Sequence, residues 1–195
     1  EEAARSKLGD SYDSCRSRFS ELMKDVQGLC MRYDGELILA VYHAISGGRT
    51  EAAANVWGSD MAYLKPVESV GDLLDPSYMS TVTYTAQEFL QHLYEMDAGV
   101  SGTEMQTVPD ASTVDCAAMI TQPKCSDSGT VLEYTLNSKV YTGQQIRKYF
   151  ALRSANFDLT YSNGSFTFTV RGYGHGVGMS QTGAKYMAEQ GSSYE

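Results

Sequence analysis

The sequence predicts an α+β fold, with a mixed or antiparallel sheet, several hairpins and packed helices. Three observations predict it: apolar residues recur at helical spacing in some segments, alternate in others, and the alternating segments are joined by hairpin-type turn dipeptides. Phe19, Leu22, Met23, Val26 and Leu29 repeat at three- and four-residue intervals, which predicts an amphipathic helix over residues 11–28 with Gly28 as its stop. Residues 29–33 and 36–42 flank Asp34-Gly35, a primed turn. The run 37–42 is apolar on both faces and is expected to be a central, covered strand. Residues 46–80 are rich in Gly, Asp, Ser and Pro and read as a loop carrying Trp57, Tyr63 and Leu64. A short strand over 81–84 then leads into Thr85-Ala86-Gln87-Glu88, a capping box that opens a helix with Phe89, Leu90, Leu93 and Met96 on one face.

Residues 98–128 are weakly patterned, with Val114 and Met119-Ile120 as strand candidates. Residues 131–136 and 139–141 are expected to pair around Asn137-Ser138. Thr142 and Gln145 form a second capping box, before a short helix with Ile146 and Phe150. Residues 157–161 and 166–170 alternate around Asn163-Gly164, another hairpin, and residues 179–190 read as a helix ending at Gly191. Ser192 to Glu195 has the spacing of a third capping box, which reads as a helix cut short. Residues 1–195 are accordingly expected to be one domain, truncated at both ends.

The bulk composition narrows the function. A net charge of −9 repels polyphosphate, so no nucleic-acid partner is expected. No apolar run approaches the roughly 18 residues a membrane span requires, so a membrane would be met only through a segment not present. The absence of a secretory leader implies only that the first residue is not the start of a secreted precursor. The 14 tyrosines suit stacking on sugars and equally suit ordinary sheets. Cys15, Cys30, Cys116 and Cys125 contain no C-x-x-C pair, so they assign no zinc knuckle and no metal site. Cys116 and Cys125 are close enough to bridge a loop, whereas Cys15 and Cys30 are expected as small buried residues of the first helix and its exit.

Two segments carry chemistry. In the segment 171–181, glycines at 172, 174, 176 and 178 surround His175, and a helix follows. Glycine permits positive φ and close approach of another group, and a helix amino terminus offers unpaired N–H groups. Gly174, His175, Gly176, Ser180 and Gln181 are therefore candidates for holding a carboxylate or polar oxygen of a ligand, and the alternative is a tight connection between a hairpin and a packed helix. In the segment 42–50, an apolar run ends in His43, Ser46, two glycines, Arg49 and Thr50. Strand-to-loop edges favour functional side chains, and Arg49 can grip a carboxylate with two hydrogen bonds or serve a structural ion pair. No local aspartate completes a triad with His43 and Ser46. His92, on a helix between Leu90 and Leu93, reads as a surface or satisfied core residue. His43, Arg49 and His175 are expected to converge on one groove.

Taken together, these segments resemble a known family. The run Gly172-Tyr173-Gly174-His175-Gly176-Val177-Gly178-Met179-Ser180-Gln181-Thr182-Gly183-Ala184 resembles the signature closing the stage II sporulation protein D domain. His43 through Thr50, then Val56-Trp57-Gly58 and Tyr63-Leu64, are similar to earlier family segments, as are 142–154. The resemblance implies a peptidoglycan lytic transglycosylase, or the related enhancer of cell-wall amidases. It implies an extracytoplasmic, cell-envelope location, membrane-anchored in the full-length protein, and a role in sporulation and engulfment. It implies peptidoglycan glycan strands stripped of stem peptide as substrate, a cell-wall amidase as partner, and cleavage of the MurNAc–GlcNAc linkage to a 1,6-anhydro product by one carboxyl group acting as acid and then base. His43, Ser46, Arg49, Thr50, Gly174, His175, Gly176, Ser180 and Gln181 are expected to bind substrate. The family's catalytic glutamate and the His/Cys loop that binds zinc in some members precede the matching region, because Leu8-Gly9-Asp10-Ser11-Tyr12 fits a later Trp-Gly-x-x-Tyr stretch. No catalytic residue and no cofactor are therefore assigned within this chain. Ala44-Ile45 stands where family members carry serines.

Overall fold

The computed structural model describes residues 1–194. Within them the chain forms two units, Glu1–Ala40 and a larger one from Val41 onward.

In the first unit α1 (Glu2–Leu8) leads through a tight turn into α2 (Tyr12–Asp25). Arg5 sits 4.1 Å over the Tyr12 ring, and Tyr12 is the buried residue of α2. The helical periodicity is realised, but Phe19, Leu22 and Met23 stay exposed, and Cys15 and Cys30 are exposed with them instead of buried. The turn Asp34-Gly35 has positive φ at both positions (49° and 84°), which suits the twist of the antiparallel strands β1 (Arg32–Tyr33) and β2 (Glu36–Leu37). The central strand expected over 37–42 does not form. β1 is only two residues long, so pairing stops at Leu37, and Leu37 and Leu39 remain 64% and 51% exposed. An apolar run becomes a covered strand only when partners line both its edges.

The second unit is α+β. After β3 (Tyr42–His43), the expected loop contains α3 (Ala53–Trp57) and a 3₁₀ turn, Val70–Leu74. β4 (Met79–Thr85) runs into α4 (Ala86–Ser101) through the capping box: the Thr85 hydroxyl accepts from the Glu88 N–H, and the Glu88 carboxylate accepts from the Thr85 N–H. Val114 and Met119 are not in strands. They flank or end short 3₁₀ turns, Ala111–Thr113 and Ala117–Met119, and Ile120 makes an isolated bridge to Leu136. β5 (Lys124–Cys125), β6 (Val131–Leu136) and β7 (Lys139–Tyr141) form one antiparallel sheet, followed by α5 (Gly143–Tyr149) with its own capping box. β8 (Phe157–Ser162) and β9 (Ser165–Arg171) join β4 in a second antiparallel sheet, of order β4-β9-β8. β10 (Met179–Ser180) lies parallel to β3, and Ser180 caps α6 (Gln181–Glu189). The last helix thus starts two residues later than expected, because strand pairing claims Met179 and Ser180. Glu195, the last member of the expected third capping box, lies outside the described residues.

The core of this unit follows from two periodicities. Phe166, Phe168 and Val170 alternate inward along β9 while Ser165, Thr167 and Thr169 face away from it. Phe89, Leu90, Leu93 and Met96 bring one face of α4 against them, with Ile146 and Phe150 from α5 and its end. Phe89 stacks on Phe166 at a centroid distance of 3.7 Å. All four cysteines are free, Cys116 buried in this core and Cys125 exposed.

Candidate functional site

The two motif segments are woven into one piece of backbone. Met179 and Ser180 register against Tyr42 and His43 in the parallel pair. The Ala44 and Ile45 amides both donate to the Tyr173 carbonyl at 3.1 Å, and Tyr173 N–H returns a bond to Ile45 at 2.7 Å. Glu51 N–H donates to the Gly176 carbonyl at 2.7 Å. Close approach explains the glycines: a Cβ at Gly178, where φ is +74°, would lie 2.3 Å from the Val41 carbonyl oxygen. The amides expected to face a ligand are largely spent on the protein, since Gly174 donates to Arg153, Val177 to His175 and Met179 to Val41.

Burial of the two histidines fixes their state. His43 is 3% exposed, and its Nδ1 donates to the Val177 carbonyl at 3.1 Å, leaving a buried Nε2 with no partner. His175 Nδ1 accepts from the Val177 N–H at 3.1 Å, and the ring also hydrogen-bonds the backbone of Tyr42. The rings stand 5.8 Å apart, with Trp57 on the other side of His175 at 5.2 Å. Desolvation holds both below the ordinary histidine range, and for His175 the Arg147 guanidinium pushes the same way. Both rings are therefore neutral at pH 7, with their bonds directed into the fold.

Several hydroxyls that the sequence suggests for ligand contact are also turned inward. Ser46 N–H and Oγ–H both donate to Asp72 Oδ2, at 2.8 and 2.5 Å, and Ser180 Oγ–H donates to Asp72 Oδ1 at 2.7 Å. Each hydroxyl in turn accepts a backbone amide, Gly48 N–H for Ser46 and Gly183 N–H for Ser180. Asp72, fully buried, ties the two motifs to each other through the 3₁₀ turn. The Thr50 hydroxyl accepts from Val67 N–H at 2.9 Å. Glu51, also buried, accepts from Ala52 N–H, Asn55 and Ser126.

Two cavities flank this framework. Arg49, Glu51, Gly174, His175 and Gly176 line a small one of about 20 Å³, room for about one water molecule. Arg49 also pairs with Glu68 at 2.7 Å. Gln181 opens instead onto a wider groove of about 400 Å³, a volume in the range of small-molecule sites, with Arg153, Tyr173, Thr182 and Lys185. The structure thus brings Arg49 to His175 and places His43 behind the His175 ring, outside the lining of either cavity. Sequence reasoning missed Asp72 and Glu51, which carry no motif, and gave no role to Trp57, Tyr173, Arg147, Arg153 or Lys185. The exposed rings of Trp57 (41%) and Tyr173 (50%) flanked a recognised motif, and that adjacency was the available signal. The side chains do not fit a zinc ion: among the described residues no three His, Cys, Asp or Glu are grouped to hold a metal.

No protein-family model matches the chain. The chain is 35% identical to stage II sporulation protein D of Bacillus amyloliquefaciens, covering 95% of this chain and 49% of that protein. It is 33% identical to the protein of the same name from Bacillus subtilis, over 96% of this chain and 50% of that one. A third relative, the amidase enhancer of Bacillus subtilis, is 27% identical over 93% of this chain and 31% of its own length. The chain therefore spans about half the length of the two sporulation relatives. Among the described residues no helix is long and apolar enough to cross a membrane. The similarity takes in 95% and 96% of the sequence for the two sporulation proteins and 93% for the amidase enhancer, so what this chain resembles along nearly its whole length is stage II sporulation protein D and the amidase enhancer.

Proposed function

We propose that this chain is the glycan-holding part of a peptidoglycan lytic transglycosylase of the cell envelope, acting outside the cytoplasm during sporulation and engulfment. In this reading the MurNAc–GlcNAc linkage of peptide-stripped strands is cleaved to a 1,6-anhydro product, and the carboxyl group that performs the proton transfers belongs to a segment outside this sequence. The observation that carries the proposal is the surface around the woven motifs. The exposed ring of Tyr173 lines an open groove of about 400 Å³, and the exposed ring of Trp57 stands 5.2 Å from His175, both on a backbone locked from both sides. Exposed aromatic faces on a rigid frame suit the apolar faces of sugar rings. His43, Ser46, Thr50 and Ser180 build that frame in this reading. Arg49, the 174–176 loop with His175, and Gln181 border the bound strand.

The proposal is tested by titrating the chain with peptide-stripped glycan strands while following Trp57 fluorescence, then analysing the products by mass spectrometry. Saturable binding without anhydro products is the expected result. Absence of binding at millimolar saccharide overturns the glycan reading, and anhydro products would place the acid within residues 1–195. The similarity to an amidase enhancer favours a second reading, in which the chain holds a cell-wall amidase. Stimulation of a purified amidase by a chain that does not bind glycan selects that reading.

A further inference from the structure

Among the described residues, seven of the chain's 15 lysines and arginines pair with a carboxylate. Arg49 pairs with Glu68, Arg171 with Asp158, Lys139 with Asp97 and Lys124 with Glu133. Arg147 and Arg153 make no ion pair with a carboxylate among the described residues, and they share one neighbour: Arg153 stands over the exposed ring of Tyr173 and Arg147 interacts with it electrostatically. The Arg153 guanidinium sits 5.5 Å from the Tyr173 centroid. Arg147 projects from the last turn of α5, half-buried, and reaches Tyr173 and His175 electrostatically. Lys185 lines the same groove as Arg153 and Tyr173, tethered only loosely to Glu189 at 3.7 Å. The groove's own carboxylate, Asp75, already accepts from Ser77 N–H and from Thr182.

A half-buried guanidinium without a counter-ion is costly, and a ligand anion supplies what the protein withholds. The planar fork of arginine fits a carboxylate, and an aromatic face beside it fits the apolar side of a sugar. On a peptidoglycan strand one group combines the two. The lactyl side chain of MurNAc ends in an amide while the stem peptide is attached and in a free carboxylate once the peptide is removed. We infer that Arg147, Tyr173 and Arg153 form a subsite for the free lactyl carboxylate of MurNAc, and that this subsite selects peptide-stripped strands. The inference rests on the glycan reading above and deepens it: selection is charge recognition, not relief from a bulky peptide.

The test compares the affinity of the chain for stripped strands with its affinity for the same strands after conversion of the lactyl carboxyl to a methylamide. Both ligands lack the peptide, and only one carries the charge. The wild type is expected to prefer the carboxylate about tenfold, as for a hydrogen-bonded charge pair at a partly exposed site. Arg153→Met and Arg147→Met should each bring that ratio towards one, and Arg153→Lys should retain part of it. Arg153 is exposed, so Arg153→Met gives a folded answer even if the half-buried Arg147→Met unfolds. A wild type that binds both strands equally overturns the carboxylate subsite and leaves the glycan reading standing, as does an unchanged ratio in Arg153→Met. A wild type that binds neither strand overturns the glycan reading itself.

Discussion

Removing the Asp72 carboxylate is the sharpest perturbation of this site. Asp72 is fully buried and accepts from Ser46 N–H, Ser46 Oγ–H and Ser180 Oγ–H. In Asp72→Ala the Ser180 hydroxyl keeps a second acceptor, the Ala44 carbonyl at 3.4 Å, whereas the two Ser46 donors lose theirs. An orphaned buried donor costs about 1–3 kcal/mol, and the two serines act as one unit, so the total should be about 3–5 kcal/mol. Asp72→Asn keeps one acceptor oxygen and the side-chain shape, and should cost about 1–2 kcal/mol. Urea unfolding at pH 7 reads the difference. Trp57 is the chain's single tryptophan and stands against His175, so its fluorescence reports on this unit and this site together. With a slope of about 2 kcal/mol per molar urea, the alanine variant should lose about 1.5–2.5 M in midpoint. The asparagine variant should lose under about 1 M. An alanine variant within about 1 kcal/mol of wild type would refute the tie, because the three bonds would then contribute no more than water does.

Three further outcomes follow from the geometry. Gly178→Ala should cost about 3 kcal/mol or more in urea unfolding, since its Cβ would meet the Val41 carbonyl at 2.3 Å. Gly176→Ala, at similar φ but with its Cβ at a less severe 3.3 Å from the Glu51 Cβ, should cost about half that. Burial holds the His43 and His175 pKa values below the ordinary value of about 6.5, so the unfolded chain takes up protons before the folded one. Their contribution is therefore complete above about pH 6.5 and is lost as pH falls towards the folded values. Unfolding midpoints measured between pH 7 and 5 should fall, and His43→Asn should flatten the slope. Trp57→Ala should weaken binding of stripped glycan about tenfold by calorimetry while leaving the core that contains Phe89 and Phe166 intact.

The local structure was legible wherever a local rule governs it. Both capping boxes formed, because Thr85–Glu88 and Thr142–Gln145 satisfy their own orphan amides without outside help. The turns at Asp34-Gly35, Asn137-Ser138 and Asn163-Gly164 adopted positive φ as their residue types allow. The errors arose where a partner decides the outcome. The run 37–42 has the composition of a covered strand, but no strand lines it beyond Leu37. Met179 has the periodicity of a helix start, but Tyr42 recruits it into a parallel pair. Asp72 stands in a loop-like stretch with nothing around it to mark a buried carboxylate. Its role depends on two serines far from it in sequence.

The same dependence explains why the site is built from glycine, serine and histidine. His43 meets Val177 across 134 residues of sequence, and closing a loop of that length costs about 4 kcal/mol in chain entropy before any contact is made. A parallel pair only two residues long, β3 with β10, cannot offset this by itself. The remainder comes from contacts possible only at close backbone range: the reciprocal bonds of Tyr173 with Ile45, the bond from Glu51 to Gly176, and the Asp72 tie through Ser46 and Ser180. Larger side chains at 172 or 178 would hold the two segments apart, since a Cβ there meets a backbone carbonyl at 2.6 or 2.3 Å. The motif residues are thus constrained by the act of joining, and in the glycan reading proposed above contact with a ligand passes to Trp57, Tyr173, Arg147 and Arg153. These residues can change without loosening the joint. Differences in ligand preference between relatives of this chain should therefore map to positions 57, 147, 153 and 173 before they map to the glycine-histidine loop.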